Sequence, residues 1–497
     1  MNGSTLTAGA SARNIGALRT HGVLFAVVLL GILASLVYFS WWVERLGLNS
    51  PWLWLSLILM AAYVVAQIYS AWALYLHVET PAAVAAPAGL SVDVLVPVYN
   101  EPYELVERSL AAAVAIRYPH QTYLLDDGPH PRLAALAARL GVHYLTRAGN
   151  GDAKAGNVNA ALARTTGEFV TIFDVDHVPE PNFLGAVLGH FTDPAVGFVQ
   201  SWVGFHNHGD SLVARAAAEQ GFDPYGPTSM GMYGCGAAPV WGSHCTFRRR
   251  ALQSIGGHQA GLAEDLHTSL RLHAAGWRSV FVPSLDARGQ TPSDLIGITA
   301  QHFKWSRGVF EVLFTVYPCL CRRLTLPQNA AYLVRLTYYL IGPIFLAHAL
   351  VTAGVLLFGS SAAVRELCQY LLRLAPLALA VVLVRQLAMH LWHLEVDARG
   401  LTWRGYALSC TLWPVYTLAL LCALLRVRIP HLPTAKQKAA HSQLPAALPQ
   451  LTLMALLLAA VVVHLSGTWG LADAVVMVFA LLATGAQSTA AYAALRP

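Results

Sequence analysis

The stretch VTIFDVDHVP, residues 170–179, ends an apolar run on two carboxylates, Asp174 and Asp176, with His177 beside them. In an extended chain residues i and i+2 point the same way, so both carboxylates can face one point. Held there they repel, and they stay charged only with a cation between or near them. Oxygen ligands of this kind suit Mg2+ or Mn2+, with phosphate oxygens completing the shell. His177 either adds a ligand or caps the turn. A D-x-D alone is commonly a solvated turn, so its meaning depends on what the chain brings beside it.

The neighbouring elements answer that. VDVLVPVYNEP, residues 92–102, is a near-continuous apolar run stopping at Asn100-Glu101-Pro102. Such runs suit central parallel strands covered on both faces. Thr122–Pro129 predicts a second strand ending in Asp126 and Asp127, Val142–Leu145 a third, and Phe169–Phe173 the strand before the D-x-D. Helical spacing at Glu104–Ile116, Pro131–Leu140 and Lys154–Thr165 fills the gaps. This βαβαβαβ alternation predicts a doubly wound, Rossmann-like α/β sheet. Ligands in such sheets bind at the carboxyl ends of the strands, near the switch in strand order. All three acidic clusters fall at such ends.

Composition sets the frame around this domain. The chain of 497 residues is 56% hydrophobic and 12% charged, against about 25% charged in soluble domains. Two apolar runs near the start, Gly22–Val43 and Trp52–His77, contain no Asp, Glu, Lys or Arg. The first is too long, and too soon followed by the second, for a cleaved signal peptide. Later runs are Ala331–Phe358, Cys368–Leu394, Tyr406–Leu425, Leu451–Leu465 and Leu471–Tyr492. Arg13 and Arg19 put the N-terminus inside by the positive-inside rule, and two helices return the chain to that side. If all five later runs crossed, the basic loop with Arg426, Arg428, Lys436 and Lys438 would fall outside. Tyr406–Leu425, which contains Pro414, is therefore read as an interfacial element. The expected layout is a membrane region at 1–80 with two helices, a cytoplasmic domain at 88–325, and a membrane region at 330–497 with four helices. An interfacial helix near 403–425 and a loop at 426–442 belong to the last.

The net charge of +6 fits cytoplasmic loops. No basic run interleaves with aromatics, so a nucleic acid partner is not expected. The seven cysteines form no CxxC pair, which argues against a zinc site or a disulfide frame.

The ordered set VDVLVPVYNEP, LLDDG, DAKAGNVNAAL, FDVDHVP, AEDLHTSLRLHAAGW and QHFKW resembles the processive family 2 glycosyltransferases. Bacterial cellulose synthase catalytic subunits show the nearest likeness, over roughly 90–440. The resemblance implies a GT-A-type domain that transfers sugar from a UDP-sugar, and a polymer exported through the protein's own helices. It implies that Tyr99 and Glu101, with Asp126 or Asp127, line the uridine pocket and that Lys154 lies near the donor. Asp174 and Asp176, with His177 as a third ligand, would hold the diphosphate through Mg2+ or Mn2+. Asp265 would be the general base. Gln301, Lys304 and Trp305 would fill the QxxRW position, Trp305 as an acceptor platform. Thr434 and Lys436 would touch the nucleotide from a gating-type loop. Trp241, where the family's acceptor motif has cysteine, would floor the acceptor pocket.

Lys304 stands where the family usually has Arg, giving a point charge without a fork, and Arg307 is a candidate to compensate. The gating-type loop has His431 and Pro433 where Phe and Val are usual. The chain ends at Pro497, so no cyclic-di-GMP-binding domain is expected. Of the arginines within apolar runs, Arg335 and Arg373 are expected to reach the interfaces and Arg385 to lie near a sugar path. Tyr338, Tyr339 and Trp392 are further candidates for that path. The reading is a processive synthase in the plasma (inner) membrane making a β-linked glucan, with an accessory export subunit as a further partner. The competing reading is a non-processive membrane glycosyltransferase with a lipid acceptor, or a synthase of another β-glycan. A transporter or scaffold with a degenerate domain is disfavoured by the intact acidic motifs.

Overall fold

The computed structural model describes residues 5–43, 51–284, 286–392, 400–427, 429 and 442–495. Among the described residues the strands are β1 Val92–Val98, β2 Gln121–Asp126, β3 His143–Thr146, β4 Phe169–Ile172, β5 Val178–Pro179, β6 Val196–Ser201, β7 Gly204–Phe205, β8 Cys245–Arg248, β9 Arg278–Val282 and β10 Ala287–Gly289. Seven form one sheet in the order β3-β2-β1-β4-β8-β6-β9, and the order reverses between β1 and β4. β1 is parallel to β2 and to β4. β8 runs antiparallel to both β4 and β6, so the sheet is mixed rather than wholly parallel. A small sheet, β5-β10-β7, lies beside it.

Strand alternation explains why β1 reads as continuously apolar. Val92, Val94, Val96 and Val98 pack on one face with Leu110, Leu133 and Phe173. Leu95 faces the other way, with Val158, Ile172 and Phe247. Both faces are therefore covered, the condition that erases a polar alternation. The helices Tyr103–Val114, Pro131–Leu140 and Ala153–Leu162 link the first four strands. Pro131 opens its helix and Gly141, with φ of 67°, closes it, the usual asymmetry of proline at the start and glycine at the end.

Among the described residues six helices are long and apolar enough to cross a membrane: His21–Trp42, Ile58–Leu76, Leu326–Phe358, Ser361–Trp392, Leu444–Leu465 and Leu471–Leu495. A seventh span would exist only if Trp403–Thr411 and Trp413–Leu424 counted as one, and these are bent by 47° at Leu412. Pro414, in the first turn of the second helix, lacks the N–H to continue the ladder across that break. The architecture is that of a multi-pass membrane protein carrying an α/β domain.

Buried polar contacts join the two parts. Arg385 Nε, from the helix Ser361–Trp392, meets Asp223 Oδ2 at 3.2 Å, and the Tyr75 hydroxyl donates to Asp223 Oδ1 at 2.8 Å. The backbone N–H of Arg404 donates to Glu219 Oε2 at 3.0 Å, and Gln220 Nε2 donates to Ser409 Oγ at 2.8 Å. The first two bonds tie the helix Leu212–Tyr225 to membrane helices, and the last two tie it to the first half of the broken pair.

Candidate active site

The acidic tips of the strands converge as the spacing requires. β4 ends at Ile172, and the Asp174 N–H is then held by Ser243 Oγ at 3.0 Å while the His177 N–H donates to the Asp174 carbonyl at 2.9 Å. That turn brings one ligand atom each of Asp174, Asp176 and His177 within 4.8 Å of one another. A hydrogen-bond chain fixes the His177 ring. Its Nδ1 lies 2.6 Å from His244 Nε2, and His244 Nδ1 lies 3.1 Å from the Trp202 carbonyl. A carbonyl only accepts, so His244 carries its proton on Nδ1 and accepts on Nε2. Neutral His177 therefore donates from Nδ1 and keeps the lone pair on Nε2. Two carboxylates and one oriented imidazole nitrogen form a donor set that could hold a divalent cation, and an oriented second ring behind a ligand is the usual supporting shell.

Lys154, on the helix Ala153–Leu162, is ion-paired with Asp174 and donates to the Gly242 carbonyl at 2.7 Å. Burial works against its charge, but Asp174, Glu264 and Asp265 outweigh it and hold its pKa above the ordinary lysine value. Asp265 sits in the first turn of the helix Glu264–Ala274 and accepts from the Leu266 N–H at 2.7 Å. Its pKa is pushed up to about 6, first by burial and then by Glu264, against the pull of Arg335 and Lys154. A carboxylate tuned this way is suited to take a proton near neutral pH.

Tyr99, Glu101 and Asp127 line the same cavity, whose volume is about 1430 Å3. Glu101 accepts from the Tyr99 backbone N–H, with Asn100 between them at φ of 62°. Asp127 is held by Arg147 through two contacts of 2.6 and 2.7 Å. Asp126 has a different job. Fully buried, it accepts from the N–H groups of Gly128 and His130 at 2.9 and 3.0 Å and from the Tyr144 hydroxyl at 2.7 Å. It shapes the loop, and of the two only Asp127 reaches the cavity.

Gln301, Lys304 and Trp305 share one face of the helix Leu295–Glu311, because residues three and four apart are neighbours on a helix, and all three line the cavity. Arg307, the candidate to compensate for Lys304, also lines the cavity. It donates to Glu311 at 2.8 Å and to the Val427 carbonyl at 3.0 Å. Thr434 and Lys436 lie outside the described residues. Trp241 lines the cavity, but the guanidinium carbon of Arg335 lies 3.6 Å from its ring centre. Arg335 thus faces the site instead of an interface, which an arginine inside an apolar run signals only as something to be explained. Arg373 lies over Trp41 at 5.5 Å. Arg385, Tyr338 and Tyr339 also line the cavity, whereas Trp392 packs against His21 with ring centres 5.2 Å apart. Sequence reasoning missed His244, Asp223 and Arg147, since none sits in a motif and each acts through a partner distant in the chain.

The chain matches the family model described as "Glycosyltransferase like family 2" over residues 87–308 and the model described as "Cellulose synthase" over residues 239–424. It is 35% identical over 263 residues to a cellulose synthase catalytic subunit [UDP-forming] of Xanthomonas axonopodis pv. citri, covering 51% of this chain and 36% of that protein. It is 32% identical over 338 residues to cellulose synthase 1 of Komagataeibacter xylinus, covering 64% and 22%. A third relative, the cellulose synthase catalytic subunit [UDP-forming] of Pseudomonas fluorescens, is 30% identical over 360 residues, covering 68% and 48%. The chain thus spans less than half the length of these relatives. Among solved structures, a mannosyltransferase from Pyrobaculum calidifontis in complex with GDP-Man and Mn2+ matches with a TM-score of 0.51 and 20% identity, over 75% of this chain and 99% of that one. That likeness shows a shared fold. The α/β domain is a glycosyltransferase family 2 domain of the GT-A type. A cellulose-synthase-type region overlaps and continues it.

Proposed function

We propose that this protein is a processive, inverting membrane glycosyltransferase that moves a sugar, glucose in our reading, from a UDP-sugar to the end of a growing β-linked glucan. The observation that carries this is a single cavity. It runs from the acidic strand tips at Asp174 and Asp176, past Asp265, to membrane-helix residues such as Gln67, Tyr339 and Val381. A donor site and a membrane path sharing one space suit a product that leaves where it is made.

In this reading Tyr99, Glu101 and Asp127 receive the uridine. Asp174, Asp176 and His177 hold Mg2+ or Mn2+, which when bound supplies positive charge for the diphosphate and the leaving UDP. Lys154 and Lys304 add fixed positive charge at the same place. Gln301 orients the donor, and Trp305 offers an aromatic face to the C–H side of the acceptor sugar. Asp265 takes the proton from the acceptor hydroxyl as its oxygen bonds to the anomeric carbon and the bond to UDP breaks. Thr434 and Lys436, outside the described residues, are assigned as further nucleotide contacts. The α/β domain, 88–325, faces the cytoplasm, the plasma membrane holds 1–80 and 330–497, the 403–425 segment lies at the interface, and an accessory subunit receives the polymer.

The test uses purified protein in vesicles with Mg2+ and, separately, radiolabelled UDP-glucose, UDP-N-acetylglucosamine and UDP-glucuronate. Long product from UDP-glucose, digestible by a β-1,4-glucanase, is expected. Long product from another donor would correct the sugar. Short, lipid-soluble product would favour a lipid acceptor and end the processive reading.

A further inference from the structure

Trp241 is held from several sides. Its ring N–H donates to Ser229 Oγ at 3.0 Å, its backbone N–H donates to Gln200 Oε1 at 2.9 Å, and the Tyr225 ring meets it edge-on at 4.5 Å. One face is covered by the Arg335 guanidinium at 3.6 Å. A face so covered cannot stack a sugar. What the indole does instead is seat a cation at van der Waals distance, an arrangement that favours guanidinium over ammonium.

The N–H groups of a guanidinium radiate in its own plane. A guanidinium seated over a ring face meets it with its carbon and can direct N–H groups past the ring edge. Arg335 Nη1 is buried and has no hydrogen-bond partner among the described residues. A buried charged donor with no acceptor is costly, and Arg335, which carries it, lines the cavity. The base is close by. A Cβ built on Gly242, the residue after Trp241, would stand 3.5 Å from Lys154 Nζ and 3.9 Å from the Asp265 side chain.

We propose that Arg335, seated on Trp241, is an acceptor-binding residue whose free N–H edge takes a pair of oxygens on the terminal acceptor sugar and holds that unit before Asp265. This rests on the glycosyltransferase reading above. It shifts acceptor selection from the indole to the guanidinium, and it explains a charged residue inside an otherwise apolar helix. A neutral side chain at 335 would leave the acceptor free to drift, so donor sugar would pass to water instead.

The experiment compares wild type with Arg335→Met, which keeps bulk, and Arg335→Lys, which keeps charge but loses the fork. With the donor found active for wild type, UDP release and label entering polymer are measured together, and UDP affinity is measured with Mn2+ by calorimetry. For Arg335→Met, UDP affinity should stay within about twofold while the ratio of free sugar to polymer rises about tenfold or more, with Arg335→Lys between. The acid limb of the rate should also move to higher pH in Arg335→Met. The charges facing Asp265 are Glu264, which raises its pKa, and Arg335 and Lys154, which lower it. An unchanged ratio in both variants would overturn the proposal, and so would UDP affinity falling in step with rate, which would put Arg335 on the donor. Wild-type protein that releases UDP from no donor would overturn the glycosyltransferase reading itself, and this inference with it.

Discussion

At the residue scale, Asp265 carries the most specific chemistry. In the proposed role as base its carboxylate must be ionised to accept a proton, and burial with Glu264 beside it pushes its pKa up to about 6. Activity should therefore fall on acidification through pH about 6, since protonation removes the base. Asp265→Asn keeps the shape and removes the proton acceptor, so transfer should drop by about 10^2–10^4-fold. UDP affinity should not change, and calorimetry alongside a label-incorporation assay checks both. Loss of UDP affinity would show that Asp265 serves the donor instead. The pair Asp126-Asp127 shows where sequence reading stops. Both stand at a strand tip, but adjacent residues of an extended chain point to opposite sides. Which one turns toward the cavity depends on Tyr144 and Arg147, residues that no local pattern connects to them.

At the scale of elements, the parallel half of the sheet was legible because burial on both faces leaves unbroken apolar runs. β1, β2 and β4 announce themselves this way. β8 does not. Its four residues, Cys245–Arg248, are all buried, yet Thr246 and Arg248 are polar. Thr246 is satisfied by Thr171 across the strand pair at 2.8 Å, and Arg248 by the Val196 carbonyl at 3.0 Å. Tertiary hydrogen bonds replace hydropathy there, so the antiparallel strand that makes the sheet mixed gives no local signal. The small sheet was likewise illegible, being built of two- and three-residue strands. Its role is positional: a Cβ on Gly289 of β10 would collide with the His177 ring, so glycine there leaves room for the ring that the His244 bond orients. The helix Leu295–Glu311, by contrast, shows its working face directly through the spacing of Gln301, Lys304 and Trp305.

At the scale of the whole molecule, the account depends on a firm junction between the α/β domain and the membrane helices. Asp223 is its centre, accepting from Tyr75 and paired with Arg385, and both partners of the pair are 14% exposed. Removing one member of a buried pair strands the other. Asp223→Ala should therefore lower stability by roughly 3–5 kcal/mol, read as an earlier thermal melt in detergent. An unchanged melt would show that the junction is held elsewhere. The existence of such a junction was only partly readable. Hydropathy marks Arg385 as needing a partner, but its partner lies 162 residues away in the chain.

The central claim is that the acidic strand tips grip a nucleotide through a divalent cation. Calorimetric titration of UDP into the purified protein, with Mn2+ and then with the cation chelated, tests it most directly. Binding should be clear with Mn2+, should vanish on chelation, and should be lost in Asp176→Asn even with Mn2+ present. UDP binding of equal strength in all three conditions would contradict it.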